Sequence, residues 1–291
     1  MRPEIVFVIP TFNRPSTLAR CLESVFSQRT DTRFEIIVSL DSRDTVSQEF
    51  LAGYGKRVSV VRAGVPGLNA ARNRGINAAQ GSIVVFLDDD CVVPRPEWVD
   101  LLNAGFRRRP EASAIGGGFI SQDNAPLFVR CRNRMSNAYV LDSRVCENEV
   151  RSLLGGNIAY RKELFDQFGV FDEFLLYGAT ETELNERISA AGGKFYFFDE
   201  LSVVHAIEDR SLCQHCRQAF FQGSGKAYSY FKGNKCVGSG RGMRATLRYL
   251  RTIVDEERSW SDKAGAFFFL ALNIVCYRIG YYWGRIRYNR L

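Results

Sequence analysis

The sequence predicts an α/β protein built on a doubly wound, mostly parallel sheet, with a helical extension at its C-terminal end. Three observations predict it. Short β-branched, apolar runs alternate with amphipathic stretches as far as residue 120. Polar or acidic residues follow three of those runs directly. The last third then changes character and becomes basic and aromatic.

Each element can be justified in order. Residues 5–9 are an unbroken apolar run and form a strand. Residues 15–28 follow as a helix, with Leu18, Leu22, Val25 and Phe26 on one face. Residues 34–40 are a second strand, which ends at Asp41. A polar helix is expected over 45–54, a third strand over 58–61, and a helix over 67–79. Residues 82–87 form the fourth strand and 98–107 a further helix. Residues 114–120 read as one strand containing Gly116-Gly117-Gly118, where a bulge or a close ligand approach is expected. The pattern is looser beyond this point. A short strand is expected at 158–160, a helix at 181–191, strands at 194–198 and 202–204, and then long helices with basic faces. The expected division is a binding and catalytic domain over residues 1–209 and a basic helical region over 210–291.

In a doubly wound sheet, ligands bind beyond the carboxyl ends of the strands. Thr11 and Asn13 follow the first strand, Asp41 the second, and Asp88-Asp89-Asp90 the fourth. Three adjacent carboxylates after a buried strand repel one another. A divalent cation relieves that repulsion, and hard oxygen ligands suit Mg²⁺ or Mn²⁺ when a diphosphate completes the shell. The competing reading is a solvated acidic turn. Neither the Gly-x-Gly-x-x-Gly fingerprint nor the Walker phosphate loop is present, so neither common glycine-rich cradle holds the phosphates.

The composition, 46% hydrophobic and 24% charged, is ordinary for a globular protein. The net charge of +7 hides an asymmetry: residues 210–291 carry fifteen basic and four acidic side chains, whereas residues 1–209 are net acidic. Phe and Tyr occur in blocks within this basic region, which fits an anionic membrane surface better than nucleic acid. Residues 264–277 hold one polar side chain, Asn273, and are short for a bilayer span. An interfacial helix is therefore expected, with Arg285, Arg287 and Arg290 at lipid headgroups; packing on the catalytic domain or on a second copy is the alternative. No basic-then-apolar leader opens the sequence, so a cytoplasmic location with free thiols is expected for the eight cysteines. Cys213 and Cys216 read as helix-borne thiols rather than zinc ligands, because no second pair stands at ribbon spacing.

The residues Pro10-Thr11-Phe12-Asn13-Arg14, Asp41, Ala70-Ala71-Arg72-Asn73-Arg74-Gly75 and Phe86-Leu87-Asp88-Asp89-Asp90 resemble the family 2 glycosyltransferases. So do Gly155-Gly156-Asn157-Ile158-Ala159-Tyr160-Arg161, the stretch from Phe168 to Glu173, and Glu183-Leu184 with Arg187-Ile188 and Gly192. The resemblance runs over roughly residues 4–225. It implies the A-type glycosyltransferase fold, a Rossmann-like sheet with an acceptor-binding second half. It further implies transfer of a sugar from a nucleotide-sugar donor, expected to be a UDP-sugar, to a glycan or lipid-linked acceptor. By resemblance, Pro10 to Arg14, Asp41, Arg72, Asp88 and Asp89 serve the nucleotide. Asp90 and His205 hold Mn²⁺ or Mg²⁺, and Gly156, Asn157 and Glu183 face the acceptor.

Displacement at an anomeric carbon needs one carboxylate base to take the acceptor proton, which fits a single inverting step. The resemblance places that base at the start of the acceptor-side helix. There this sequence departs from the family pattern, with Thr180-Glu181 in place of Glu-Asp. Glu181 is the expected base, with Glu183 and Asp172 in reserve. This departure also leaves room for a second reading, a nucleotide-sugar-binding or scaffold protein of the same fold with weak turnover.

Overall fold

The computed structural model describes residues 3–122, 124–175, 180–205, 211–232, 251, 253–257 and 259–289. Strands β1 (Ile5–Thr11), β2 (Phe34–Leu40), β3 (Ser59–Arg62) and β4 (Ile83–Leu87) lie parallel in the order β3-β2-β1-β4. Helices α1 (Pro15–Phe26), α2 (Ser47–Ala52) and α3 (Leu68–Ala78) connect them. β1 and β4 are buried along their whole length, which is why their sequences do not alternate. Pro15 opens α1, where its fixed φ and missing N–H cost nothing. Gly75 lets α3 lie directly on β1, since a Cβ there would overlap the side chain of Val8. Order 3-2-1-4 puts a switch point between β1 and β4, and a crevice opens at such a point.

The sheet is mixed beyond β4. The chain forms β5 (Cys91–Val92), α4 (Trp98–Arg108), β6 (Ala112–Gly116), β7 (Phe119–Ile120), α5 (Leu127–Leu141), β8 (Arg144–Cys146) and β9 (Glu149–Val150). Then come β10 (Asn157–Arg161), α6 (Glu163–Phe168), α7 (Thr180–Ala190), β11 (Lys194–Phe197), β12 (Val203–His205), α8 (Leu212–Phe231) and α9 (Trp260–Tyr288). β10 runs antiparallel between β4 and β6, so its first residues stand beside the last residues of β4.

The single strand expected over 114–120 is two. β6 belongs to the central sheet, and β7 belongs to a small three-stranded sheet of order β5-β12-β7. The break falls at Gly117, where a Cβ would overlap the backbone of Leu201 and Ser202. The glycines therefore serve a backbone-to-backbone crossing rather than a bulge. In the small sheet His205 pairs with Cys91, which seats it beside Asp90. α5 and the β8–β9 hairpin had no clear sequence signal, because Arg130, Arg132 and Arg134 interrupt the apolar positions of α5. Arg290 lies outside the described residues.

Candidate active site

A cavity of about 630 Å³ opens at the carboxyl ends of β1 and β4. Thr11, Asp41, Asp88, Asp89, Asp90, Glu181 and His205 all line it, as do Pro10, Phe12, Arg14, Arg72 and Gly156. Residues spread over some two hundred positions of sequence thus converge on one site.

The acid cluster is held from within the protein. Thr11 Oγ1 donates to Asp89 at 2.6 Å. Arg14 spans the next two carboxylates, donating to Asp89 at 2.7 Å and to Asp90 at 2.8 Å. Burial, and next the charge of Asp90, push Asp89 up to about 7. Burial also works against ionised Asp90, yet His205 and Arg14 hold its carboxyl well below the usual range. Repulsion among the acids is therefore offset by Arg14 and Arg72, and by itself it does not demand a metal ion.

The better indication of a metal site is the pairing of Asp90 with His205. His205 Nε2 lies 3.3 Å from Asp90 Oδ1. The other ring nitrogen, Nδ1, is 2.8 Å from Asn133 Oδ1, and Asn133 Nδ2 donates to Ser121 at 3.0 Å. With its amide so engaged, Asn133 offers its Oδ1 to Nδ1–H, so Nε2 is the ring nitrogen that faces Asp90. The Phe119 ring, 4.2 Å away, fixes the imidazole plane. Carboxylate oxygen and imidazole nitrogen in a polar, cavity-facing pair suit Mn²⁺, and this donor set fits such an ion. Cys91 Sγ belongs to the same cluster, but burial pushes its thiol up, away from the thiolate form a soft metal would need.

Arg72, on α3, is fully buried. It donates to Asp88 at 3.2 Å, to the Gly155 carbonyl at 2.9 Å and to Thr180 Oγ1 at 3.1 Å. The rings of Phe86 and Phe171 flank it at 5.8 and 5.4 Å. One guanidinium therefore joins β4, the 155–156 turn and the first turn of α7. Thr180 Oγ1 in turn lies 2.9 Å from Glu181 Oε2. Both glycines of that turn are sterically required. A Cβ on Gly155 would come within 2.8 Å of Glu181 Oε2, and one on Gly156 would overlap the Asp88 carboxylate.

Asp41 closes the far end of the cavity. It accepts two bonds from the Arg43 guanidinium, at 2.9 and 3.0 Å, and one from the Gly67 N–H at 2.9 Å. Burial opposes ionisation, but these donors keep the carboxyl below its ordinary value. Arg43 also lies 4.9 Å over the exposed ring of Phe12.

Three expected residues do not reach the cavity. Asn13 faces outward, its backbone N–H donating to Asp44 and its side chain accepting from Thr45 N–H. It stands at φ 53°, where its role is to shape the turn into α1. Asn157 is buried beneath the site, donating to the Leu201 and Gly118 carbonyls. Glu183 is fully buried and points away, ion-paired to Arg187 at 2.8 Å. The reserve base Asp172 is also remote, engaged by Tyr228 and Lys232. Among the acidic residues of the first turn of α7, the cavity takes Glu181.

The opposite wall was missed. Arg132 and Ser136 of α5 and Gln214, Arg217, Gln218, Phe221 and Gln222 of α8 line the cavity. α8 lies beyond the boundary expected at residue 209, so that boundary does not separate the site from the tail. The spacing 214, 217, 218, 221, 222 is a helical face of mostly polar residues, and that face was the available signal.

The sequence matches the family described as Glycosyl transferase family 2 over residues 6–169, more than half of the chain. It is 23% identical over 209 residues to glycosyltransferase AglE of Haloferax volcanii, covering 70% of this chain and 67% of that protein. It is 24% identical over 185 residues to the glucosyl-dolichyl phosphate glucuronosyltransferase of the same organism, covering 59% of this chain and 56% of that one. It thus spans little more than half of the second relative's length. Among solved structures, the fold is similar to the mannosyltransferase PcManGT from Pyrobaculum calidifontis in complex with GDP-Man and Mn²⁺. The TM-score is 0.70 and the identity 16%, over 97% of this chain and 88% of that one. A chain of S. aureus TarS is similar at TM-score 0.54 and 14% identity, over 98% of this chain and 92% of that one.

Proposed function

The chain belongs to glycosyl transferase family 2 and is a glycosyltransferase; from that membership we propose that it is a metal-dependent, inverting enzyme. It takes a sugar from a nucleoside diphosphate donor and passes it to a hydroxyl of a glycan or lipid-linked acceptor, in polysaccharide or glycolipid synthesis on the cytoplasmic face of a membrane. The observation that carries this reading is the single cavity joining the ends of β1 and β4 to Glu181 and to the Asp90–His205 pair.

Asp41 and Thr11 stand at the end of the cavity proposed for the base. Asp88, tethered by Arg72, stands where the ribose and donor sugar would lie. Asp90 and His205 would hold Mn²⁺ or Mg²⁺, which when bound supplies a Lewis acid for the diphosphate charge. Glu181 accepts the proton of the acceptor hydroxyl as that oxygen attacks the anomeric carbon. The bond from that carbon to the phosphate oxygen breaks, and the nucleoside diphosphate leaves with the bonding pair. Glutamate is one methylene longer than the aspartate of the family pattern. The tight turn at Gly155 gives its carboxylate room beside the cavity.

The test is release of nucleoside diphosphate from a panel of nucleotide sugars, with Mn²⁺, with Mg²⁺ and with chelator. UDP-sugars are tried first, and GDP-mannose second because the Pyrobaculum structure holds it. Metal-dependent release that Asp90→Asn removes without unfolding supports the reading. Release that is indifferent to chelator and to Asp90→Asn refutes the metal role.

A further inference from the structure

An aromatic track leads out of the cavity across the two C-terminal helices. Phe221 lines the cavity, its ring centroid 5.7 Å from that of Phe220. Phe220 in turn lies 5.3 Å from Trp283 of α9. Trp283 stands at the edge of a solvent-facing stripe made of Phe268, Val275, Ile279, Tyr282 and Ile286. Each of these five is more than half exposed, and their spacing puts them on one helix face. An apolar stripe of this size exposed to water marks an interaction site.

The other face of α9 is seated on the protein along its length. Phe269 packs on Phe128 of α5 at 5.1 Å. Gly280 and Gly223 let the backbones of α9 and α8 touch, since a Cβ at Gly280 would overlap the Phe220 carbonyl and one at Gly223 the Tyr277 carbonyl. A helix seated on one side in this way, with its apolar stripe left outward, has the form of an interfacial helix. Its charge fits such a surface. From residue 263 onward the sequence holds five Lys and Arg and no Asp or Glu, and exposed Arg278 and Arg285 flank the stripe.

At the cavity end of the track stands Arg217, one helical turn before Phe221 and 5.6 Å over its ring. It lines the cavity and makes no ion pair among the described residues. Arg132 lines the same wall and donates to Gln218. A cation facing the cavity at one end and an apolar strip reaching the surface at the other match an amphiphile with an anionic head.

We propose that the acceptor is a membrane amphiphile with an anionic phosphate headgroup. The headgroup is received at Arg217, the apolar chain runs over Phe221, Phe220 and Trp283, and the α9 stripe lies in the bilayer interface beside it. This rests on the acceptor reading above and narrows it to the lipid-linked class.

The experiment uses the full chain and three small probes, octyl phosphate, octanol and inorganic phosphate, with binding followed by calorimetry. Octyl phosphate is expected to bind about tenfold more tightly than either of the others. Arg217→Gln removes the advantage over octanol, and Trp283→Ser removes the advantage over inorganic phosphate. In flotation, the protein is expected to rise with vesicles of phosphatidylcholine mixed with phosphatidylglycerol. Ile279→Glu and Tyr282→Glu abolish this while leaving the mass by light scattering unchanged. Equal binding of the three probes overturns the proposal. So does flotation that ignores the stripe variants, or a mass that halves in them, which would make the stripe a contact between two copies. UDP binding with Mn²⁺, measured in parallel, separates the two readings: its loss refutes the donor assignment and leaves the probe and flotation results standing on their own.

Discussion

The two walls of the cavity are built in opposite ways. The wall proposed for the donor comes from strand ends in a parallel sheet, and its polar groups are already paired: Thr11 and Arg14 with Asp89, Arg14 and His205 with Asp90, Arg72 with Asp88. The wall proposed for the acceptor comes from α5 and α8; its Arg217 and glutamines line the cavity, with Gln218 accepting from Arg132 and Gln214 capping the start of α8. A prepaid network fixes geometry before ligand arrives, as a site for a constant donor part requires. A helical wall of long polar side chains can be re-specified one residue at a time. On the proposed function, the strand-end side carries the transfer chemistry and the helical side receives the acceptor.

Substitutions sharpen or break this contrast, beginning with the donor wall. Asp90→Asn is expected to lower turnover on the order of a thousandfold, measured by nucleotide release, with little change in melting temperature because Arg14 still pairs with Asp89. Glu181→Gln is expected to lower turnover by about 10²–10⁴ while donor binding by calorimetry stays the same. The neighbouring Glu183→Gln should do the reverse. It breaks a buried pair with Arg187 and costs about 3 kcal/mol in denaturant unfolding, with turnover per folded molecule preserved. If Glu183→Gln removed turnover and Glu181→Gln did not, the base would be misassigned. Asn133→Ala frees the His205 ring and is expected to weaken Mn²⁺ about 10–100-fold in a metal titration. The smallest effect on donor binding belongs to the α8–α9 side. Gly280→Ala overpacks the α8–α9 crossing and costs about 1–3 kcal/mol, read as a lower melting temperature with donor affinity untouched.

The same contrast explains what the sequence revealed. β1 to β4 and the acids after them were legible because a buried parallel strand is a contiguous apolar run, and its end is marked by the first polar residue. His205 was nameable from resemblance, but its contact with Asp90 depends on β12 pairing with β5 across more than a hundred residues. No local pattern encodes that pairing. Arg72 was nameable for the site from resemblance, but its burial between Phe86 and Phe171 was not, because helix periodicity does not register a guanidinium flanked by rings from other elements. Glu181 and Glu183 stand two positions apart in sequence, so the 3.6-residue period alone sends them to different faces. Which face met the cavity depended on the packing of α7. The acceptor wall was hidden because its residues are spread over α5 and α8, whose polar positions look like any solvated surface.

On the proposed function, the Asp88–Asp90 cluster with His205 forms a metal-dependent seat for a nucleoside diphosphate. The most direct measurement is calorimetric titration of UDP, and of GDP in parallel, into the full chain with Mn²⁺, with chelator, and in Asp90→Asn. One nucleotide is expected to bind tightly with Mn²⁺, about a hundredfold more weakly with chelator, and with the same loss in the folded variant. Binding of equal strength in all three conditions would contradict it.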